Sequence, residues 1–127
     1  MCKMLLSINP EHVQNILDGT KHFEFRKVKC RDDVDEIIIY ATSPVMKVVA
    51  EAVVDEILVD NILEVWRLTK EHAGISYKFY RKYYKGKTVA VAYKLKNIIE
   101  YPEPKPLSDF GVSHPPQSFI YLNASTN

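Results

Sequence analysis

"LLSINPEHVQNILDGTKHFEFRK", residues 5–27, packs an apolar run, a helix and an alternating strand into one short stretch. The helix is fixed by its ends. Asn9 can cap it, Pro10 sits at the first helical position where its missing N–H costs nothing, and Glu11 complements the positive end of the dipole. Val13, Ile16 and Leu17 fall on one stripe, and Gly19 supplies the left-handed residue that ends the helix. Before it, Met4–Ile8 reads as a first strand. After it, His22–Arg26 alternates, sending Phe23 and Phe25 to one face and His22, Glu24 and Arg26 to the other.

Outward from that stretch, "EIIIYAT" (36–42) is a continuous apolar run suited to a central strand that stops at the turn around Pro44. "KVVAEAVVDEILV" (47–59) is a further strand, with Val49, Glu51, Val53 and Asp55 on one face. "DNILEVWRLTKEHAG" (60–74) returns to helical spacing, with Ile62, Leu63, Trp66 and Leu68 inward and Gly74 closing it. "SYKFYRKYYKG" (76–86) is a second short helix, capped by Ser76 and stopped at Gly86. "TVAVAYKLK" (88–96) alternates as a strand, and the proline-rich 101–111 segment reads as an extended connection. "PPQSFIYL" (115–122) offers a last strand, leaving 123–127 as a loose tail. Strands dominate and helical insertions are few. That order predicts an α+β, mainly β fold, a small and mostly antiparallel β-barrel with short helices covering its ends. A doubly wound sheet would separate nearly every strand pair by a helix.

The totals set limits. A chain of 127 residues suits one domain, residues 1–127, with an ordered core over roughly 5–122. With 46% hydrophobic and 26% charged residues it is an ordinary globular composition. The formal charge of +1 means that any attraction for nucleic acid must come from how charge is distributed. No apolar run approaches the ~20 residues that span a bilayer, and the start of the chain is no signal peptide. Two cysteines, Cys2 and Cys30, with no Cys-x-x-Cys spacing, point to free thiols in a reducing cytoplasm and to no metal quartet. His12, His22, His72 and His114 have no metal-ligand spacing either, and no cofactor is implied.

Three charges between residues 21 and 26 carry the chemistry. Glu24 and Arg26 share a strand face about 7 Å apart, and Lys21 stands where the chain leaves the helix, at the rim of the sheet. Arg offers a flat fork for phosphate or a base edge, Lys a compact charge, and Glu an acceptor for amino or hydroxyl groups. A solvated strand face with an incidental ion pair is the plainer account of the same spacing. A second feature is the basic face formed by Lys78, Arg81, Lys82 and Lys85, which recur at helical spacing and could neutralise phosphates. Most of the tyrosines interleaved with them are better read as core contacts.

Gly19-x-Lys21-x-x-Glu24-x-Arg26 directly after a short helix resembles the signature of the ASCH family, the activating-signal-cointegrator homology domain. "VVAEAVVDEI" is similar to its central strand and "PLSDFGVSHPPQSFIYL" to its closing segment, so that nearly the whole chain fits the frame. The resemblance implies a barrel related to the PUA fold and ligands drawn from RNA or modified nucleosides. It also implies that Ser118 and its neighbours approach the motif strand. Lys21, Glu24, Arg26, His22 and Ser118 are then the expected ligand-binding residues, and Lys78, Arg81, Lys82 and Lys85 the expected nucleic-acid backbone contacts. Small bacterial members of the family deacetylate N4-acetylcytidine with a lysine, a threonine three residues on, and a glutamate on a later strand. Lys21 matches the lysine and Glu51 the later glutamate, but Glu24 stands where the threonine nucleophile belongs. The departure favours an RNA- or nucleotide-binding module. The alternative is an enzyme, an amidohydrolase or a ribonuclease, with Lys21, Glu24 and Glu51 as its catalytic groups.

Overall fold

The computed structural model describes residues 2–122; the predicted tail, 123–127, lies outside the described residues. Six strands form one sheet: β1 (Cys2–Ile8), β2 (Phe23–Arg26), β3 (Val34–Ala41), β4 (Lys47–Asn61), β5 (Val89–Lys105) and β6 (Phe119–Leu122). Their order is β2-β5-β4-β3-β1-β6. Only β1 and β3 run parallel; every other neighbouring pair is antiparallel. The first helix, α1 (Pro10–Leu17), begins as its sequence dictates, with the Asn9 side chain accepting the Glu11 N–H. Gly19 follows it with a φ of 89°. Two further helices, α2 (Ile62–Thr69) and α3 (Tyr77–Tyr83), flank a 3₁₀ turn over Lys70–His72. Asn61 and Ser76 cap them, accepting from Glu64 N and Phe79 N. No helix among the described residues is long and apolar enough to cross a membrane.

The α+β, mainly β class is what the sequence predicts, but the sheet does not close into a strict barrel. β2 and β6 are its two edges and share no backbone ladder. Side chains bridge the seam instead. Arg26 of β2 donates through Nη2 to the carbonyl of Ser7 on β1, at 2.8 Å, and through Nη1 to Ser118 Oγ just before β6, at 3.1 Å. Ser7 also ties the β6 approach, its N–H reaching Ser118 O and its hydroxyl Pro116 O. β2 pairs with β5 alone, and a guanidinium with several donors carries the contact on its other side.

Three buried clusters sit on this sheet. The largest gathers Met4, Leu6, Ile37 and Ile39 under α1, whose Val13 and Ile16 are buried against them. A second lies between β2, β5 and the α2–α3 pair, around Phe23, Phe25, Tyr80 and Tyr84. A third, on the other face, packs Leu5, Ile38, Tyr40 and Val48 under Leu107 and Phe110.

Two expectations change. Helix α2 is rotated from its predicted phase. Val65 and Thr69 are buried, whereas Leu63 and Leu68 are 62% and 47% exposed. The spacing 62, 65, 66, 69 is the true helical stripe, hidden because Thr69 is polar. Its hydroxyl is satisfied by Val65 O, one turn back, so burial leaves no orphan group. Strand β5 also runs through Pro102 and Pro104 to Lys105, well beyond the predicted end at Lys96. β2 covers β5 only from Val91 to Lys94, so the distal half has a free edge, where a proline breaks no ladder bond.

Candidate functional site

Lys21 is delivered to the interior by the turn that follows α1. Thr20 N–H and Lys21 N–H both reach Asn15 O, at 3.1 and 3.0 Å. His22 is then clamped, its N–H on His72 O and its carbonyl accepting from Leu95 N. The result is a lysine only 3% exposed rather than one at the rim. Its Nζ donates to the Ala73 carbonyl at 2.9 Å and lies 4.8 Å from the centre of the Phe25 ring. Burial pushes its pKa below the ordinary 10.5, with Glu24 pulling the other way and Arg26 adding to the fall.

Glu24 and Arg26 are 5% and 9% exposed. The predicted split of β2 into an apolar and a solvated face therefore fails, because all four residues of the strand are buried. Arg26 Nε and Nη2 lie 3.2 and 3.0 Å from the same carboxylate oxygen, Glu24 Oε2. Oε1 has no protein partner among the described residues. The guanidinium thus has three acceptors at once: Glu24, Ser7 O and Ser118 Oγ.

A cavity of about 160 Å³ opens at this point of the seam, lined by Lys21, Glu24 and Arg26 together with Ser7, Asn9 and His12. Its apolar walls come from Ile8, Phe25, Ile75, Phe79 and Tyr83. The cleft continues past Arg26 and Tyr83 toward Gln117 and Ser118, and past His12 and Phe79 toward Glu11 and Gly74. His12 has its Nδ1 buried without a partner among the described residues. Burial first, and the Lys21 charge next, lower its pKa from the ordinary 6.5, so the ring is neutral at pH 7.

The structure brings Lys21, Glu24 and Arg26 to one cavity and sets Ser118 beside it, on Arg26. His22 is turned away, stacked on His72 at 4.3 Å and bonded to Gly19 O. Glu51 does not line the cavity. It pairs across the sheet with Ile38, a member of the opposite-face cluster, and accepts from Tyr101 OH at 2.9 Å. Lys78, Arg81, Lys82 and Lys85 are all exposed, while Tyr80 and Tyr84 of the same segment are core residues. Sequence reasoning missed His12, Phe79 and Tyr83 as cavity residues. Phe79 and Tyr83 stand four apart on α3, a signal that was open to reading.

Gly74 explains how the lysine fits. Its φ is +71°, and a Cβ there would stand 2.4 Å from Lys21 Cβ and 2.6 Å from Cγ. Gly74→Ala combines a strained left-handed alanine with an overpacked contact and is expected to lower stability by about 2–4 kcal/mol in urea unfolding. Lys21→Ala should not rescue it, because the nearest atom is the lysine's own Cβ. Lys21→Gly removes the two shortest contacts and leaves the residue 21 Cα at 3.0 Å. A rescue by Lys21→Ala would disprove the contact.

The family model, one curated relative and the solved structures name the same family. Residues 6–102 match the ASCH domain. The ASCH domain-containing ribonuclease of Zymomonas mobilis is 31% identical over 94 residues, covering 73% of this chain and 64% of that protein. The large ribosomal subunit protein uL22 of Ureaplasma parvum serovar 3 is 32% identical over 120 residues, and the match covers 94% of this chain but only 39% of that protein. In the ATP synthase subunit alpha of the same organism the matched share is 15%, at 30% identity. The chain therefore spans well under half the length of those two relatives. Among solved structures, ASCH from Zymomonas mobilis superposes with a TM-score of 0.87 at 28% identity, over 96% of this chain and 88% of that one.

Proposed function

This chain belongs to the ASCH domain family, and on that premise we propose that it binds RNA in the Lys21–Glu24–Arg26 cleft and cleaves the strand there. One observation carries the reading: three charged side chains, each at least nine-tenths buried, line a single cavity. Buried charges are costly unless they are paired or used, and one of the three has no carboxylate partner of its own. The Zymomonas relative, named as a ribonuclease, supports cleavage over binding alone.

The chemistry needs only groups present in the cleft. A phosphate entering it meets Lys21 and Arg26, whose charges act strongly where water is sparse. The free Oε1 of Glu24 takes the proton of the neighbouring ribose 2′-hydroxyl as that oxygen bonds to phosphorus. The P–O5′ bond breaks, and the departing 5′ oxygen receives a proton from Lys21, whose depressed pKa makes it a stronger acid than an exposed lysine. The products are a 2′,3′-cyclic phosphate and a 5′-hydroxyl, and no co-reactant is consumed. Phe79 and Tyr83 supply aromatic walls against which a base can pack.

Mass spectrometry of short RNAs and modified nucleosides incubated with the protein tests this directly. A cyclic-phosphate product is expected from RNA, with none from an RNA carrying 2′-deoxyribose at the cleaved position. Cutting of the deoxy substrate overturns the Glu24 scheme. Deacetylation of N4-acetylcytidine without RNA cleavage makes the protein an amidohydrolase instead. Stabilisation by RNA with no product reduces it to a binding module.

A further inference from the structure

Beyond the cleft, a second and larger cavity of about 590 Å³ lies where the start of α2 meets the end of α3 and the turn that follows. Arg81, Lys82, Lys85 and Lys87 line it, and no acidic residue among the described residues does. All four cations are exposed, and none forms a salt bridge among the described residues. Of the acids beside Ile62 and Leu63, Glu64 is paired with Arg67, and neither it nor Asp60 lines the cavity. In a chain with 16 acidic residues and a net charge of only +1, this is a local concentration of positive charge. Ile62 and the exposed Leu63 give it an apolar floor.

The cavity is rigidly tied to the cleft. Tyr84 lines it, yet its hydroxyl donates to the Arg26 carbonyl at 2.8 Å. The adjacent Tyr83 lines the cleft, with the two rings 4.8 Å apart. The turn is held by Lys85 N–H on Lys82 O and Lys87 N–H on Tyr84 O. Consecutive tyrosines therefore face two sites whose separation is fixed by packed side chains.

We propose that this basic cavity is a second nucleic-acid site, which holds backbone phosphates of the same RNA strand where it continues out of the cleft. The proposal rests on the RNA reading of the cleft. It differs from the predicted helix face in its composition: Lys87 joins Arg81, Lys82 and Lys85, and Lys78 drops out. A strand held at both places gains affinity because the second contact is intramolecular. Short RNAs that occupy only the cleft gain nothing from it.

The test compares a dinucleotide with an RNA of about ten nucleotides, a length within the range that single-strand-binding folds cover. The variant is Lys82→Gln/Lys85→Gln/Lys87→Gln. Each lost phosphate contact lowers the salt slope of binding by about 0.7, so the triple change lowers it by about 2. Between 50 and 200 mM salt the wild type should then lose about 16-fold more affinity for the long RNA than the variant does. The preference for cleaving the long RNA over the dinucleotide should fall with it. A control of equal charge, Lys47→Gln/Lys94→Gln/Lys96→Gln, removes lysines that line neither cavity and is expected to keep most of the slope. Equal slopes in wild type and variant overturn the second site, as does an equal fall in variant and control. If the wild type neither binds nor cleaves RNA of either length, the reading of the cleft itself has failed.

Discussion

Lys21→Met is expected to reduce RNA cleavage by at least ~100-fold, the lower end of what a positioned proton donor contributes, while thermal unfolding stays within about 5 °C of wild type. Few buried residues separate activity from stability so cleanly. Methionine keeps the apolar stem, so the packing of Cβ and Cγ on Gly74 survives, while the ammonium's place over the Phe25 ring is given up. One hydrogen bond is lost, leaving the Ala73 carbonyl without its donor, at a cost of about 1–3 kcal/mol. Against that, a desolvated ammonium is removed, a relief of similar size. The pH dependence identifies the cause. Because burial lowers the folded pKa of Lys21 below 10.5, the unfolded chain holds this proton more tightly, and its charge destabilises the fold at neutral pH. That cost fades as pH rises from the folded value toward 10.5. The stability of Lys21→Met relative to wild type should therefore decline over that interval. Measuring both proteins at each pH cancels the shared titration of the tyrosines. Cleavage that survives Lys21→Met ends the assignment of this residue.

Much of the fold was legible because its punctuation is local. Asn9, Pro10 and Gly19 fix α1 at both ends, and Ser76 and Gly86 bound α3 with its turn, since each satisfies or breaks backbone bonds within one turn of chain. The phase of α2 was not legible. Leu63 and Leu68 look like core residues by type, and the buried Thr69 does not. Which face is covered was decided by Tyr80, whose hydroxyl donates to Ile62 O, a contact made from another helix. The open seam was hidden for a similar reason. Whether β2 meets β6 is a contact between segments far apart in sequence, and what joins the two edges is the Arg26 side chain, which no local pattern announces.

The site was half legible. Spacing and resemblance together gathered Lys21, Glu24 and Arg26, and placed Ser118 beside them. Alternation then misled, because it assumes that one face of a strand is wet. The apolar face of β2 packs under α2–α3, and its polar face turns to the seam, where Ser7, Ser118 and Tyr83 cover it. His22 and Glu51 fell outside the cleft because a side chain's direction at a strand end or bulge depends on local backbone. β4 carries register shifts on both sides of Glu51. His12 and Phe79 gave no chemical signal as single residues. They became site residues only when α1 and α3 met across the cavity, with their rings edge to face at 5.4 Å.

The largest stability effect is expected from Glu24→Ala. It leaves Arg26 buried with no carboxylate, and breaking one side of such a pair costs about 3–5 kcal/mol, or roughly 10–20 °C in a chain of this size. The loss should spread beyond the pair, because Arg26 is also the side chain that joins β2 to Ser7 and Ser118 across the seam. Amide hydrogen exchange should therefore quicken at Ser7, whose N–H bonds Ser118 O, before it quickens in central strand β3. Arg26→Met reverses the imbalance, leaving Glu24 as the orphan and the seam unbridged. In the double variant no charge of the pair is left uncompensated, so its loss should be smaller than the two single losses added, by about 1–3 kcal/mol. What it still loses is the bridge to Ser7 and Ser118, which the double variant measures free of the charge penalty. Simple additivity, or a Glu24→Ala protein within 1 kcal/mol of wild type, would mean that the pair is not what holds the open side of the sheet together.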